Sequence, residues 1–176
     1  KQMRNALVTT SVLRPMDSNL PVILDVDSSE KYSYGIIMQS DIAFSPQIRA
    51  MILQPSMDGA YLRSVAYTSR KLSPTQQRYS AQEREALGII QVLRAWQNWI
   101  EGCEIIIRTD HESLATIRKK PNLPRRMQRF VDVIEYFDPT IVWKKGKSNH
   151  LADWLSRPPS DVSTFPISGY DPVHIN

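Results

Sequence analysis

The chain has 176 residues, 41% of them hydrophobic, and a formal net charge of +4, which suits one domain with an apolar core. No apolar run approaches the roughly 20 residues of a membrane span, and the N-terminal residues do not read as a signal peptide. The single cysteine, Cys103, rules out an internal disulfide and reads as a small buried side chain. Charge is unevenly spread: Arg118, Lys119, Lys120, Arg125, Arg126 and Arg129 occur in a stretch without an acid, and Lys144, Lys145 and Lys147 form a second group. Such groups suit a polyanionic partner, and the second is equally what a solvated face looks like.

Residues 1–19 read as a connector that ends in the turn-rich PMDSNLP. PVILDVD follows as a strand, with Val22, Leu24 and Val26 on one face and Ile23, Asp25 and Asp27 on the other. A second strand lies near Tyr34 to Gln39, its GIIM buried on both sides. Residues 40–61, with Pro46, Pro55 and Gly59, read as a long hairpin loop, and Leu62 to Ser69 returns as the third strand. Ser73-Pro74 opens a long helix, expected to run to about Ile100 with Gly102 as its stop. Ala86, Ile89, Val92, Leu93, Trp96 and Ile100 form its apolar stripe. Glu85 lies roughly 50° from the centre of that stripe and Glu83 roughly 110°, so Glu85 is the acid turned toward the core margin.

Glu104 to Thr109 is an apolar, central fourth strand, and a short helix spans Glu112 to about Arg118. The next helix, in PNLPRRMQRFVDVIEYF, carries Met127, Phe130, Val131, Ile134 and Phe137 at helical spacing. Thr140 to Lys144 is the fifth strand, Asn149 to Leu155 a closing helix, and residues 158–176 a Pro/Ser-rich linker or tail. Trp96, Trp99 and Trp154 invite a base-stacking reading, but helical position favours core packing for Trp96 and Trp154.

This order defines an α/β domain: three antiparallel strands, then two parallel strands reached by crossover helices. Ligands of such sheets gather at the carboxyl ends of the parallel strands. Asp27 and Asp110 each end a strand, Glu85 can reach the same place from the long helix, and Asp153 from the closing one. Converging carboxylates repel and raise one another's pKa unless a divalent cation neutralises them. Two magnesium ions about 4 Å apart can activate water and stabilise the leaving oxygen of a phosphodiester. CxxC, HExxH, P-loop and GxSxG patterns are all missing from the chain.

Four segments, VDSS, AYTSRKLSPTQQRYSAQEREALGII, RTDHESL and GKSNHLADWLSR, occur in order. Over roughly Ala6 to Arg157 the chain resembles the ribonuclease H domain of gypsy-type (metavirus) long-terminal-repeat retrotransposon reverse transcriptases. The resemblance implies a ribonuclease H-like fold over residues 20–157, a five-stranded mixed sheet flanked by helices. It implies endonucleolytic hydrolysis of the RNA strand of RNA–DNA hybrids. Asp27, Glu85, Asp110 and Asp153 become the catalytic acids and ligands of two Mg2+ ions, with Mn2+ as an alternative. Asn149, one turn before Asp153, would orient it, and His111 would touch substrate at the site margin. Arg70, Lys71, Arg125, Arg126, Lys144, Lys145 and Lys147 are the candidate hybrid contacts. Expected partners are the hybrid, the polymerase domain of the same polyprotein and a second copy in a homodimer, without a membrane. The expected location is the cytoplasm, within virus-like particles, with the nucleus as an alternative.

Three departures stand out. One extra residue before Gly35 leaves Asp25 competing with Asp27, which is favoured because it precedes Ser28-Ser29. Residues 40–61 are longer than usual. Trp143 occupies the place where relatives carry His or Tyr, about ten residues before the last acid, and indole cannot transfer a proton in that way. His150 reads as a solvated helix residue. The alternative function is a catalytically silent module for dimerisation or nucleic-acid binding. A transposase or integrase on the same fold fits poorly, since those end their acidic series with Glu.

Overall fold

The computed structural model describes residues 13, 15–40, 44–54 and 62–144. Its strands are β1 (Val22–Ser28), β2 (Tyr32–Ser40), β3 (Leu62–Lys71), β4 (Ile105–Thr109) and β5 (Thr140–Trp143). They form one sheet in the order β3-β2-β1-β4-β5. β1–β2 and β2–β3 are antiparallel, and β1–β4 and β4–β5 are parallel. The three-plus-two arrangement read from the sequence is therefore the fold.

The alternation in β1 divides the core as expected. Val22, Leu24 and Val26 pack with Ala86, Ile89, Val92 and Leu93 on one face. Ile23 joins Tyr34, Ile36, Met38, Leu62 and Ile106 on the other. Before β1, buried Gln39 holds the incoming chain: its amide donates to the Asp17 carbonyl at 2.7 Å, and its Oε1 accepts from Asp17 N at 2.9 Å.

Two expectations about helices are corrected. The stretch read as a hairpin loop contains a helix, α1 (Pro46–Ile52). Ser45 caps it by accepting from Ile48 N at 3.3 Å, and Pro46 fills the first turn, where its missing N–H costs nothing. Ile52 is fully buried and, with Phe44, Ile48 and Leu53, covers the second core face. Arg49 Nε fastens this helix to Glu104, the residue before β4, at 2.7 Å.

The single long helix expected from Ser73 to Ile100 is three: α2 (Pro74–Gln77), α3 (Ala81–Ala95) and α4 (Gln97–Ile100). The first break is chemical: Ser73 with Gln76 and Ser80 with Glu83 each complete a capping box, so two N-termini are satisfied within a few residues. The second, at Trp96, has no side-chain cap. The apolar stripe survives because α3 carries most of it. The chain continues through α5 (Glu112–Ala115), a 3₁₀ turn at Ile117–Lys119, and α6 (Arg125–Phe137), which buries Met127, Val131 and Ile134. The closing helix expected at residues 149–155 lies outside the described residues. No described helix is long and apolar enough to cross a membrane.

Two glycines let α3 sit close to the sheet. A Cβ on Gly35 of β2 would stand 2.3 Å from Val92, and one on Gly88 of α3 would stand 2.4 Å from Ser28 Oγ. Any larger residue would hold the helix further from β1.

Candidate active site

The register of the parallel pair sets two of the acids side by side. The β1–β4 ladder ends at Asp25 opposite Arg108. Asp27 and Asp110 each lie two residues further on, at the same level on neighbouring strand ends. Glu85 arrives from the second turn of α3, whose start is fixed by the Ser80 cap and whose distance from β1 is set by Gly88. Asp27, Glu85 and Asp110 each offer a carboxylate oxygen, and these oxygens lie within 4.8 Å of one another. They border an open cleft of about 600 Å³ shared with Ser28, His111 and Glu112.

The three acids differ in environment. Glu85 is buried, Asp27 half-buried and Asp110 exposed. Thr109 donates its hydroxyl to Glu85 Oε1 at 2.9 Å, and Ser28 N donates to Asp27 Oδ1 at 2.8 Å. Burial, first, and the Asp27 charge, second, push the Glu85 carboxyl well above its ordinary value. The Thr109 hydroxyl opposes that shift, and Asp110 adds to it. Ser28 Oγ faces the same carboxyl without completing a hydrogen bond of normal geometry. A purely carboxylate donor set, in which the Asp27 and Asp110 charges push up the Glu85 carboxyl, fits a hard divalent cation with oxygen preference.

Asp25 is not part of this group. It lies in a buried ionic cluster, accepting from Arg108 Nε at 2.5 Å, Arg108 Nη2 at 2.7 Å and Lys144 Nζ at 3.0 Å. Geometry separates the two acids: Asp27 meets Glu85 and Asp110, and Asp25 meets two cations. Lys144 needs a correction. Expected at the hybrid surface, it is 4% exposed and turned inward to Asp25. Sequence alone could not show this, because its partner is 119 residues away.

Other expected contacts fall variously. Arg70 and Lys71 are exposed at the end of β3, and Arg125 is exposed at the start of α6. Arg126 is exposed but engaged: it donates to Glu83 Oε1 at 2.8 Å, and its guanidinium stands 4.2 Å from the centre of the Tyr79 ring. His111 borders the cleft with Nδ1 hydrogen-bonded to Ser113 Oγ at 2.8 Å. Glu112, also in the cleft, was not singled out in the sequence; its place after Asp110-His111 was the available signal. Trp96 is core, 9% exposed, whereas Trp99 is 53% exposed. Trp143 donates its indole N–H to the Asp110 carbonyl at 3.1 Å. Asp153, Lys145, Lys147, Asn149, His150 and Trp154 lie outside the described residues.

A mixed sheet in this order, with carboxylates on adjacent parallel strand ends and on the helix that precedes the crossover, is the ribonuclease H class of α/β domain. The family described as the RNase H-like domain found in reverse transcriptase matches residues 17–137, and the chain belongs to it. Among curated proteins it is 29% identical over 175 residues to the Transposon Tf2-3 and Tf2-4 polyproteins of Schizosaccharomyces pombe. The match covers 97% of this chain and 12% of each polyprotein, so the chain spans about an eighth of their length. Among solved structures, the foamy viral protease-reverse transcriptase in complex with RNA/DNA hybrid superposes with a TM-score of 0.55 at 14% identity, covering 99% of this chain and 21% of that one. The N-terminal RNase H domain of rv2228c from Mycobacterium tuberculosis, a fusion with maltose binding protein, gives 0.53 at 12% identity, covering 81% and 93%. These likenesses show the fold.

Proposed function

We propose that this domain is a metal-dependent endonuclease that hydrolyses the RNA strand of RNA–DNA hybrids during reverse transcription of a gypsy-type retrotransposon. The observation that carries the reading is the convergence of Asp27, Glu85 and Asp110 within 4.8 Å at one end of the sheet. Asp153 is the fourth acid by sequence. Two Mg2+ ions, or Mn2+ in their place, would supply an activated water and charge stabilisation at the leaving oxygen. The chain's own part is to hold the oxygens. Glu85 is kept in place by Thr109, and Asp27 by the Ser28 backbone. Exposed Asp110 leaves the site open on the side from which a phosphodiester must come. Arg70, Lys71 and Arg125 offer cations to the hybrid backbone, which rewards each contact through counterion release. Lys145, Lys147, Asn149 and His111 complete the proposed contacts.

The relatives' membership in transposon polyproteins supports a setting beside a polymerase domain, with residues 20–157 as the nuclease unit between a connector and a tail. Pairing into a homodimer and residence in cytoplasmic virus-like particles, or in the nucleus, belong to the same proposal. The test is cleavage of a labelled RNA–DNA hybrid with Mg2+, beside an Asp110→Asn control. Metal-dependent RNA cleavage that the control lacks is expected. Hybrid binding without cleavage above the control would instead favour the silent module, the reading that Trp143 keeps open.

A further inference from the structure

The β1–β4 ladder stops at Asp25–Arg108, and the β4–β5 ladder stops at Thr109–Trp143. Asp110 sits just beyond both, and Asp27 just beyond the β1–β4 ladder, still paired with Tyr34 of β2. Two residues along a strand is roughly 7 Å, far enough beyond the last β1–β4 pair for the two strands to drift apart where like charges face each other, even though β1 stays paired to β2 there. At this level Trp143, the last residue of β5, and Lys144 just after it reach across. Lys144 N donates to the Thr109 carbonyl at 2.8 Å. Trp143 Nε1 donates to the carbonyl of Asp110 itself, at 3.1 Å. Lys144 Nζ joins Asp25 at 3.0 Å, and Arg108 holds both Asp25 oxygens.

We propose that Trp143 and Lys144 are positioning residues, a brace from the end of β5 that fixes the spacing of Asp27 and Asp110 for divalent cations. The inference rests on the metal-centre reading above. A buried charge cluster of this kind is a poor source of stability, since apolar residues of similar volume serve as well or better. What it supplies is registry. Asp25 and Arg108 each precede a cleft carboxylate by two residues, so bonds among Asp25, Arg108 and Lys144 tie the two strands together immediately behind the acids. The indole N–H extends the tie one residue beyond the last β4–β5 pair. Trp143 then has a function without any proton to transfer, and Lys144 without touching nucleic acid.

The experiment uses the full chain as wild type, Trp143→Phe, Lys144→Gln and Lys144→Arg. Mn2+ affinity is measured by calorimetry, and hybrid cleavage is resolved into kcat and KM. Trp143→Phe keeps an aromatic ring and loses the donor together with part of the indole's volume. Lys144→Gln keeps a donor and the Arg108–Asp25 pair. Each is expected to weaken Mn2+ binding by about tenfold, the usual cost of losing a partner that orients a metal ligand. The expected kinetic signature is lowered kcat with KM for the hybrid unchanged, and Lys144→Arg recovers most of the loss. Unchanged Mn2+ affinity in folded variants overturns the brace. A raised KM with undiminished Mn2+ affinity also overturns it, in favour of direct substrate contact. Absence of saturable Mn2+ binding by the wild type sinks the metal centre itself, and the brace with it. Should Lys144→Gln fail to fold, Trp143→Phe decides alone.

Discussion

Replacing Gly88 with alanine tests whether the closeness of α3 to β1 sets the acidic site. The new Cβ would stand 2.4 Å from Ser28 Oγ and 3.2 Å from Val26 Cγ1. Ser28 can only turn about χ1, and the branched valine is stiff there. Ordinary contact begins near 3.4 Å, so with Ser28 in its present rotamer helix and strand must part by about 1 Å. Overpacking of this kind costs about 1–3 kcal/mol, and alanine recovers about 1 kcal/mol of helix propensity. The net loss is about 0–2 kcal/mol, and Tm falls by up to about 8 °C for a chain of this size. Glu85 is three residues back on the same helix and recedes with it. A displacement near 1 Å is enough to cost a preorganised site tenfold or more, by the order of magnitude seen in misplaced catalytic groups. Thermal unfolding without metal and calorimetric titration with Mn2+ measure the two effects. Ser28→Ala removes the closest clash, so Ser28→Ala/Gly88→Ala should recover both, with a coupling of about 1 kcal/mol. A Gly88→Ala protein with raised Tm and undiminished Mn2+ affinity would refute the reasoning.

Asp25→Asn and Asp27→Asn should part company. The first leaves buried Arg108 and Lys144 facing an amide and costs about 3–5 kcal/mol; the second removes a charge that opposes ionisation of Glu85, sparing metal-free stability while abolishing Mn2+ binding. Chemical denaturation beside the titration checks this, and the reverse ranking would exchange the two roles. The Glu85 carboxyl is raised above its ordinary 4.5, so the stability it contributes is full below pH 4.5 and is lost as pH rises through the raised value. Glu85→Gln should therefore raise the Tm of the metal-free protein more at pH 8 than at pH 5, and equal gains would show that the carboxyl ionises without cost. Glu83 behaves oppositely. Held low chiefly by the Ser80 backbone N–H, it contributes stability above pH 4.5 that fades as pH falls. Ser80→Ala should cost about 1 kcal/mol at pH 7, and an unchanged unfolding midpoint would deny the cap its part in starting α3.

Much of this site could be read from the chain because its determinants are local. Alternation places Val22, Leu24 and Val26 on the helix-facing side, and the 3.6-residue period alone separates Glu85 from Glu83. The strand-end positions of Asp27 and Asp110 followed from two short apolar runs. Some misses were also local. Ser45-Pro46 carries the same helix-start chemistry as Ser73-Pro74, and Ser80-Ala81-Gln82-Glu83 spells a capping box inside the stretch read as continuous helix. The others were not. That Asp25 and Lys144 are an internal pair depends on strands brought together by a crossover, and no spacing along the chain encodes it. The Trp143 bond to the Asp110 carbonyl is likewise a product of β5 lying beside β4.

The strand order also bears on when the acids meet. β1, β2 and β3 pair with chain neighbours, so this meander can form early. Asp110 reaches Asp27 only when β4 inserts beside β1 after helices α2 to α4, a step that closes a long stretch of chain. Mutual repulsion of the carboxylates is therefore withheld from the chain until β4 joins β1. A cation that relieves it acts on the finished fold more than on the route there. Divalent ions should accordingly lengthen the lifetime of the folded domain far more than they hasten its formation.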